Sequence, residues 1–205
     1  TEVAVQGVLL TDLLLRAIRR ILEGDGKQAP AVPSIRIVNL SIGAQSRALV
    51  RRMSPLGRLL DWLAVQYNLL FVVSAGNHPD LPIRIPVAAA TTRAKAAQAA
   101  LEAVHASSRL RGILPPGDAL NALTVSATHD DASGEVSLPD NVWDLTSPGA
   151  PAFYAAVGPG VGRSIKPDLY HSGGRAVYQE PFVPQGAAEV ALVRASTTAT
   201  GPGNQ

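Results

Sequence analysis

The sequence predicts an α/β fold of three layers around a mainly parallel sheet. The prediction rests on three observations. An apolar stripe at helical spacing precedes each of two apolar, strand-like runs, which is the rhythm of βαβ architecture. The second run, Leu69 to Ser74, is almost continuously apolar, with two Val and a Phe, as a strand buried on both faces of a parallel sheet requires. Both runs end in loops of small residues, and in such sheets the loops at the carboxyl ends of the strands carry function.

Taken in order, Leu10, Leu13, Leu14, Ala17, Ile18, Ile21 and Leu22 recur at steps of three and four, with Asp12, Arg16, Arg19 and Arg20 opposite. This is an amphipathic helix ended by Gly24 and Gly26. A proline-bearing linker, Lys27 to Ser34, leads into a strand over Ile35 to Leu40. Ser54 followed by Pro55 starts a second helix, the hydroxyl capping free amides and the proline standing where no amide is needed. Its apolar face runs through Leu56, Leu59, Leu60, Leu63, Ala64 and Tyr67. After the strand ending at Ser74, residues 81–117 read as an excursion, with an Ala-rich helix over Thr92 to Ser107 and a close at Pro115-Pro116-Gly117. Ala122 to Ala127 is a further strand and Asp130 to Gly134 a turn. Within the Gly-, Pro- and Ser-rich stretch that follows, Ile165 to Tyr170 is the candidate last strand of the sheet. Arg175 to Val183 and Glu189 to Ala195 are expected to pair with each other around Pro184-Gln185-Gly186. The small, polar residues Thr197 to Gln205 read as loop.

Composition narrows the function classes. The chain has 205 residues, of which 17% are charged and 46% hydrophobic, enough for a core without disulfide or metal staples. Arg, Asp or Gly interrupts every hydrophobic stretch before the roughly 18 to 20 residues that a bilayer crossing needs, so no membrane-spanning segment is expected. The absence of Cys excludes Cys-ligated zinc, iron–sulfur clusters and a Cys nucleophile. A net charge of +2 implies no partner by itself. Thr1 to Val8 carries no initiator Met, charged leader or cleavage site, and the sequence is expected to be a stretch of a longer protein.

Two loops carry chemistry. In Ser74-Ala75-Gly76-Asn77 the small residues let the backbone turn tightly at the strand end while the Asn carboxamide projects from the sheet rim. Such a donor, aimed at a developing oxyanion, lowers a barrier by about 3 kcal/mol. A Gly-Asn turn with a left-handed Asn accounts for the same four residues, and on them alone it is the simpler reading. In Asn39-Leu40-Ser41-Ile42-Gly43 the glycine permits close approach of an extended peptide along the strand, or is an ordinary strand-end glycine.

Four blocks in order decide between these readings. Val-Asn-Leu-Ser-Ile-Gly at Val38 to Gly43, Val-Val-Ser-Ala-Gly-Asn at Val72 to Asn77, Asn-Ala-Leu-Thr-Val-Ser-Ala at Asn121 to Ala127, and Lys-Pro-Asp at Lys166 to Asp168 together resemble the subtilisin-like serine peptidases. The resemblance covers about residues 8 to 205, with 81–116 as a long insertion in a partial peptidase domain spanning 1–205. It implies that Asn77 is the oxyanion-hole donor. It further implies that Ser41, Ile42 and Gly43 pair with substrate backbone and form one wall of the primary specificity pocket, with Ser74, Ala75 and Gly76 as the other. A Ser/His/Asp triad, a peptide or protein substrate and no cofactor are implied as well. The Asp-[Ser/Thr]-Gly, His-Gly-Thr and Gly-Thr-Ser blocks of that triad do not occur in these residues. The expectation is therefore a sheet without its flanking strand and Ser-bearing helix, a chain inactive alone, and an unpaired edge that favours self-association. Departures from the family pattern, Ser74 in place of Ala and His171-Ser172-Gly173 in place of Ala-Pro-Gly, bear on substrate preference.

Other signals are weaker. His78, His105, His129 and His171 lack zinc-ligand spacing, so no metal is assigned. Asp130-Asp131 could serve calcium or acid chemistry, but the nearby Ser133-Gly134 makes a turn the plainer reading. Gly158 to Gly162 contains Pro159 and opens no periodic helix, which argues against phosphate binding. Arg47, Arg51, Arg52 and Arg58 form a basic cluster, but with few aromatics and near-neutral charge it reads as solvated surface, with no nucleic-acid partner. The alternative function is a non-catalytic α/β binding module that keeps the sheet and lacks the triad.

Overall fold

The structure, a computed structural model, describes residues 4–5, 8–44, 52–130 and 137–195. The elements in chain order are β1 (Ala4–Val5), β2 (Val8–Leu9), α1 (Leu10–Leu22), β3 (Ile37–Leu40), α2 (Pro55–Tyr67), β4 (Leu70–Ser74) and β5 (Arg84–Pro86). They continue with α3 (Arg93–Ala106), β6 (Ala122–Thr128), β7 (Val142–Trp143), β8 (Leu169–Ser172), β9 (Tyr178–Gln179) and β10 (Glu189–Ala191). The chain divides into two compact units. The first holds Thr1–Asn77, Gly112–Val125 and Ala156–Leu169, and the second holds His78–Arg111, Ser126–Ala155 and Tyr170–Gln205.

A four-stranded sheet has the order β3-β4-β6-β8, with β3 parallel to β4 and β4 parallel to β6. The protein is thus an α/β fold on a mainly parallel sheet with flanking helices. Register pairs Asn39 with Val72 and Leu40 with Val73, so the carboxyl ends of β3 and β4 lie side by side. Phe71 and Val73 of β4, with Val38, Leu40 and Ala122, join Ile18 of α1 and Leu60, Leu63 and Ala64 of α2 in one core. The alternate residues face the other way, and there Ile37 is 61% exposed and its register partner Leu70 43%.

The helices begin and end for local reasons. The Ser54 hydroxyl accepts from the Gly57 amide ahead of Pro55, and Asn68 closes α2 in the left-handed conformation, φ 50°. Thr92 caps α3 by accepting from the Lys95 amide. In the second unit Ala96 and Ala100 of α3 pack with Ile83, Ile85, Trp143, Phe153 and Val190, and β5 pairs with β10. The segment from 81 onward, an excursion by sequence, therefore supplies core of that unit.

Three boundaries differ from expectation. The first strand starts at Ile37 rather than Ile35, because the Ile35 amide closes a turn onto the Val32 carbonyl. The last strand of the sheet is Leu169–Ser172, shifted from 165–170. Lys166 precedes it as a buried side chain whose Nζ reaches the Ala122 carbonyl at 2.7 Å. The segments 175–183 and 189–195 do not pair along their length. β9 pairs with β7 and β10 with β5, and the two segments meet through an isolated bridge at Tyr178 and Arg194, flanked by bonds from the Gln179 amide to Val193 O and the Ala195 amide to Val177 O. Pro181 and Pro184 have no N–H to extend that ladder. Asp130 is described, bonded through its main chain to Thr128 and Gly174, while Asp131, Ser133, Gly134, Arg47, Arg51 and the stretch 197–205 lie outside the described residues. Arg52 and Arg58 are exposed.

Candidate functional site

The site lies in the first unit, where β3 and β4 end beside each other. Ser41, Ile42 and Gly43 continue from β3, with Ser41 and Gly43 exposed and Ile42 half-buried. Ser74, Ala75, Gly76 and Asn77 continue from β4, and of these Ala75 and Gly76 are buried, Ser74 is half-buried and Asn77 is exposed. The two loops meet: a Cβ placed on Gly43 would stand 3.7 Å from Gly76 Cα.

The β4 loop is held from several sides. The Ala75 amide donates to Val125 O at 2.8 Å, its carbonyl accepts from the Leu114 amide at 2.9 Å, and the Gly76 carbonyl accepts from the Ala156 amide at 3.0 Å. The Ser74 hydroxyl accepts from the Gly76 amide at 3.1 Å. Gly76 takes φ +97°, and a Cβ there would collide with Leu114 at 2.6 Å, so glycine is required twice over. Asn77 is not among the left-handed residues. Gly76 makes the turn and leaves the Asn77 carboxamide at the exposed rim, so a left-handed Asn is not what the turn needs. Gly43 differs, since among the described residues a Cβ there meets nothing closer than 3.6 Å.

Residues without a catalytic signature in the sequence hold this arrangement. Asp118 is buried and accepts from the Ser54 amide at 2.6 Å and the Ser54 hydroxyl at 2.8 Å, anchoring the start of α2. Lys166 and Asp168 pair at 2.7 Å, and Asp168 Oδ2 also accepts from the Thr124 amide at 2.7 Å. Burial pushes the Asp168 carboxyl upward, but Lys166 and the Thr124 amide outweigh it and hold the group below the ordinary carboxylate range. The Lys-Pro-Asp block is thus a clamp on β6. Pairings across more than forty residues leave no local periodicity, so no sequence signal short of the family pattern points to them.

The second unit contains a buried histidine that sequence reading left unassigned. His129 Nδ1 accepts from the Ala176 amide at 3.3 Å, and Nε2 stands 2.8 Å from Asp144 Oδ1. The Ala176 main chain thus faces one ring nitrogen and the Asp144 carboxylate the other, so both are engaged within the unit. Burial raises the Asp144 carboxyl, yet the bond and charge of His129, with the Thr146 amide and Arg175, keep it below its usual value. His78 is half-buried and, with Arg111, Tyr154, Tyr178 and Arg194, lines a cavity of about 280 Å³ within that unit. Burial pushes the Tyr178 hydroxyl up to about 12, so it stays protonated. Among the described residues, no group of three or more His, Asp or Glu is placed to hold a metal ion, and no helix is long and apolar enough to cross a membrane.

The family model described as the subtilase family, peptidase S8, matches residues 11–205. Over 151 residues the chain is 30% identical to "Uncharacterized protein y4bN" of Sinorhizobium fredii (strain NBRC 101917 / NGR234), an alignment covering 72% of this chain and 33% of that protein. The chain thus spans about a third of the length of this curated relative. With a mainly parallel sheet and a family match over nearly its whole length, the chain belongs to the subtilase family of serine peptidases.

Proposed function

We propose that this chain is the central part of a serine endopeptidase that hydrolyses peptide bonds through a Ser/His/Asp triad lying outside these residues. Asn77 donates from its carboxamide to the oxyanion of the tetrahedral intermediate. Ser41, Ile42 and Gly43 pair with the backbone of an extended peptide and form one wall of the specificity pocket, and Ser74, Ala75 and Gly76 form the other. The observation that carries the reading is the meeting of these two loops at adjacent strand ends. There Gly76 is compelled by sterics, and Gly43 and Asn77 stand exposed beside it. Catalysis needs no cofactor on this reading, and residues 81–116 are an insertion in the peptidase domain. Without nucleophile and base, the chain alone does not hydrolyse peptides.

The test uses the full-length protein and a fluorophosphonate probe, with the labelled residue identified by mass spectrometry. Labelling of a Ser beyond Gln205, and turnover about 100-fold lower in Asn77→Ala, is the expected result. A folded full-length protein that takes no label would make the chain a non-catalytic α/β binding module, with Asn77 a rim residue.

A further inference from the structure

Leu114 packs against both of the loops that the proposed reading makes the walls of the specificity pocket. We infer that it fills this pocket and limits the side chain accepted before the scissile bond to the size of Gly, Ala or Ser. The inference rests on the peptidase reading and adds the substrate class.

The packing argument is direct. A Cβ on Gly76 would lie 2.6 Å from Leu114 Cβ and Cγ and 2.7 Å from Cδ1, so the leucine side chain rests on the bare Cα of one wall. Its Cδ1 is also the nearest atom to a Cβ on Gly43, at 3.6 Å, so the same methyl group faces the other wall. Leu114 is 1% exposed. With its side chain against Gly76 and its Cδ1 within van der Waals reach of a Cβ at Gly43, Leu114 takes up volume beside both walls, and close-packed volume does not admit a second large side chain.

The leucine is also fixed in place by the main chain. Its amide donates to Ala75 O at 2.9 Å, its carbonyl accepts from the Gly117 amide at 2.8 Å, and the next residue, Pro115, accepts from the Ala44 amide at 2.8 Å. Bonds to both loops hold residues 114 and 115 against them. From behind, Ile113 packs with Ala75 and Ala156, so a shift of the segment would break a buried cluster. Leu114 touches no reacting atom on this reading. It is a specificity-determining residue that acts by occupying volume.

The experiment compares kcat/KM of the full-length protein on peptides that differ in the residue before the scissile bond, together with digestion of a peptide mixture. Ala is expected to be preferred over Phe by about 100-fold or more. Leu114→Gly and the milder Leu114→Ala are expected to raise the Phe-to-Ala and Leu-to-Ala ratios of kcat/KM about 10-fold or more. The digest of the unaltered protein decides the matter without any variant, since cleavage after large apolar residues overturns the inference whether or not the variants fold. Active-site labelling with cleavage after Phe, Tyr or Leu overturns the role of Leu114 alone. Absence of both labelling and cleavage overturns the peptidase reading and this inference with it.

Discussion

Asp118 illustrates how one residue holds a site from a distance. Its carboxylate satisfies both the amide and the hydroxyl of Ser54, and that hydroxyl in turn accepts from the Gly57 amide. The three residues form one buried chain of hydrogen bonds at the start of α2. Gly57 belongs to it sterically, because a Cβ there would meet Asp118 Oδ1 at 2.8 Å. Replacing Ser54 by Ala removes a cap and should cost about 1 kcal/mol. Asp118→Ala leaves a buried amide and hydroxyl without acceptors and should cost about 3 kcal/mol. The double variant should cost clearly less than the sum, since both remove the same contact. Urea denaturation of the four proteins checks this, and strict additivity would show that the chain of bonds is not coupled. The Ser54-Pro55 start is readable as a helix signal, but its partner, sixty-four positions away, is not.

At the scale of the element, β6 is fastened by more than its ladder. Lys166 Nζ bonds Ala122 O, while Asp168 accepts from the Thr124 amide and returns its own amide to Thr124 O. The Asp168 carboxyl is held below the ordinary carboxylate range by Lys166 and the Thr124 amide. A carboxyl depressed in the folded state binds protons more readily when unfolded, so its contribution is present above the unfolded pKa and lost as pH falls through the folded one. Stability should therefore decline on acidification below about pH 4, and Asp168→Asn should flatten that decline while lowering stability at neutral pH. Denaturation midpoints between pH 2.5 and pH 7, in about half-unit steps, test the prediction. An acid limb unchanged in Asp168→Asn would remove Asp168 from the account. Asp144, held down in the same direction beside His129, adds to the wild-type decline with the same sign.

For the molecule as a whole, the sheet among the described residues has open edges. β3 is one of its two end strands there, and Ile37 and Leu70, paired in register, are exposed on the face away from α1 and α2. An unpaired strand edge beside exposed apolar residues is a template for association. The isolated chain is expected to self-associate at micromolar concentration, and Ile37→Lys, a charge on that edge, should shift it toward monomer. Static light scattering measures both, and a monodisperse wild-type monomer would count against the prediction.

Much of this protein was readable before any coordinate. The period of three to four residues in α1 and α2, the Ser-Pro cap, and the apolar run at Leu70–Ser74 are local signals, because each reports a neighbour within a turn of helix or across one strand. The ordered blocks ending at Gly43, Asn77, Ala127 and Asp168 were enough to name the family. Partners remote in the chain were not readable. β9 and β10 turn to β7 and β5 rather than chiefly to each other, Asp118 reaches Ser54, and Leu114 lies against Gly76. A sequence records what each residue prefers over a few neighbours, whereas burial and steric exclusion depend on which distant segments arrive at the same place.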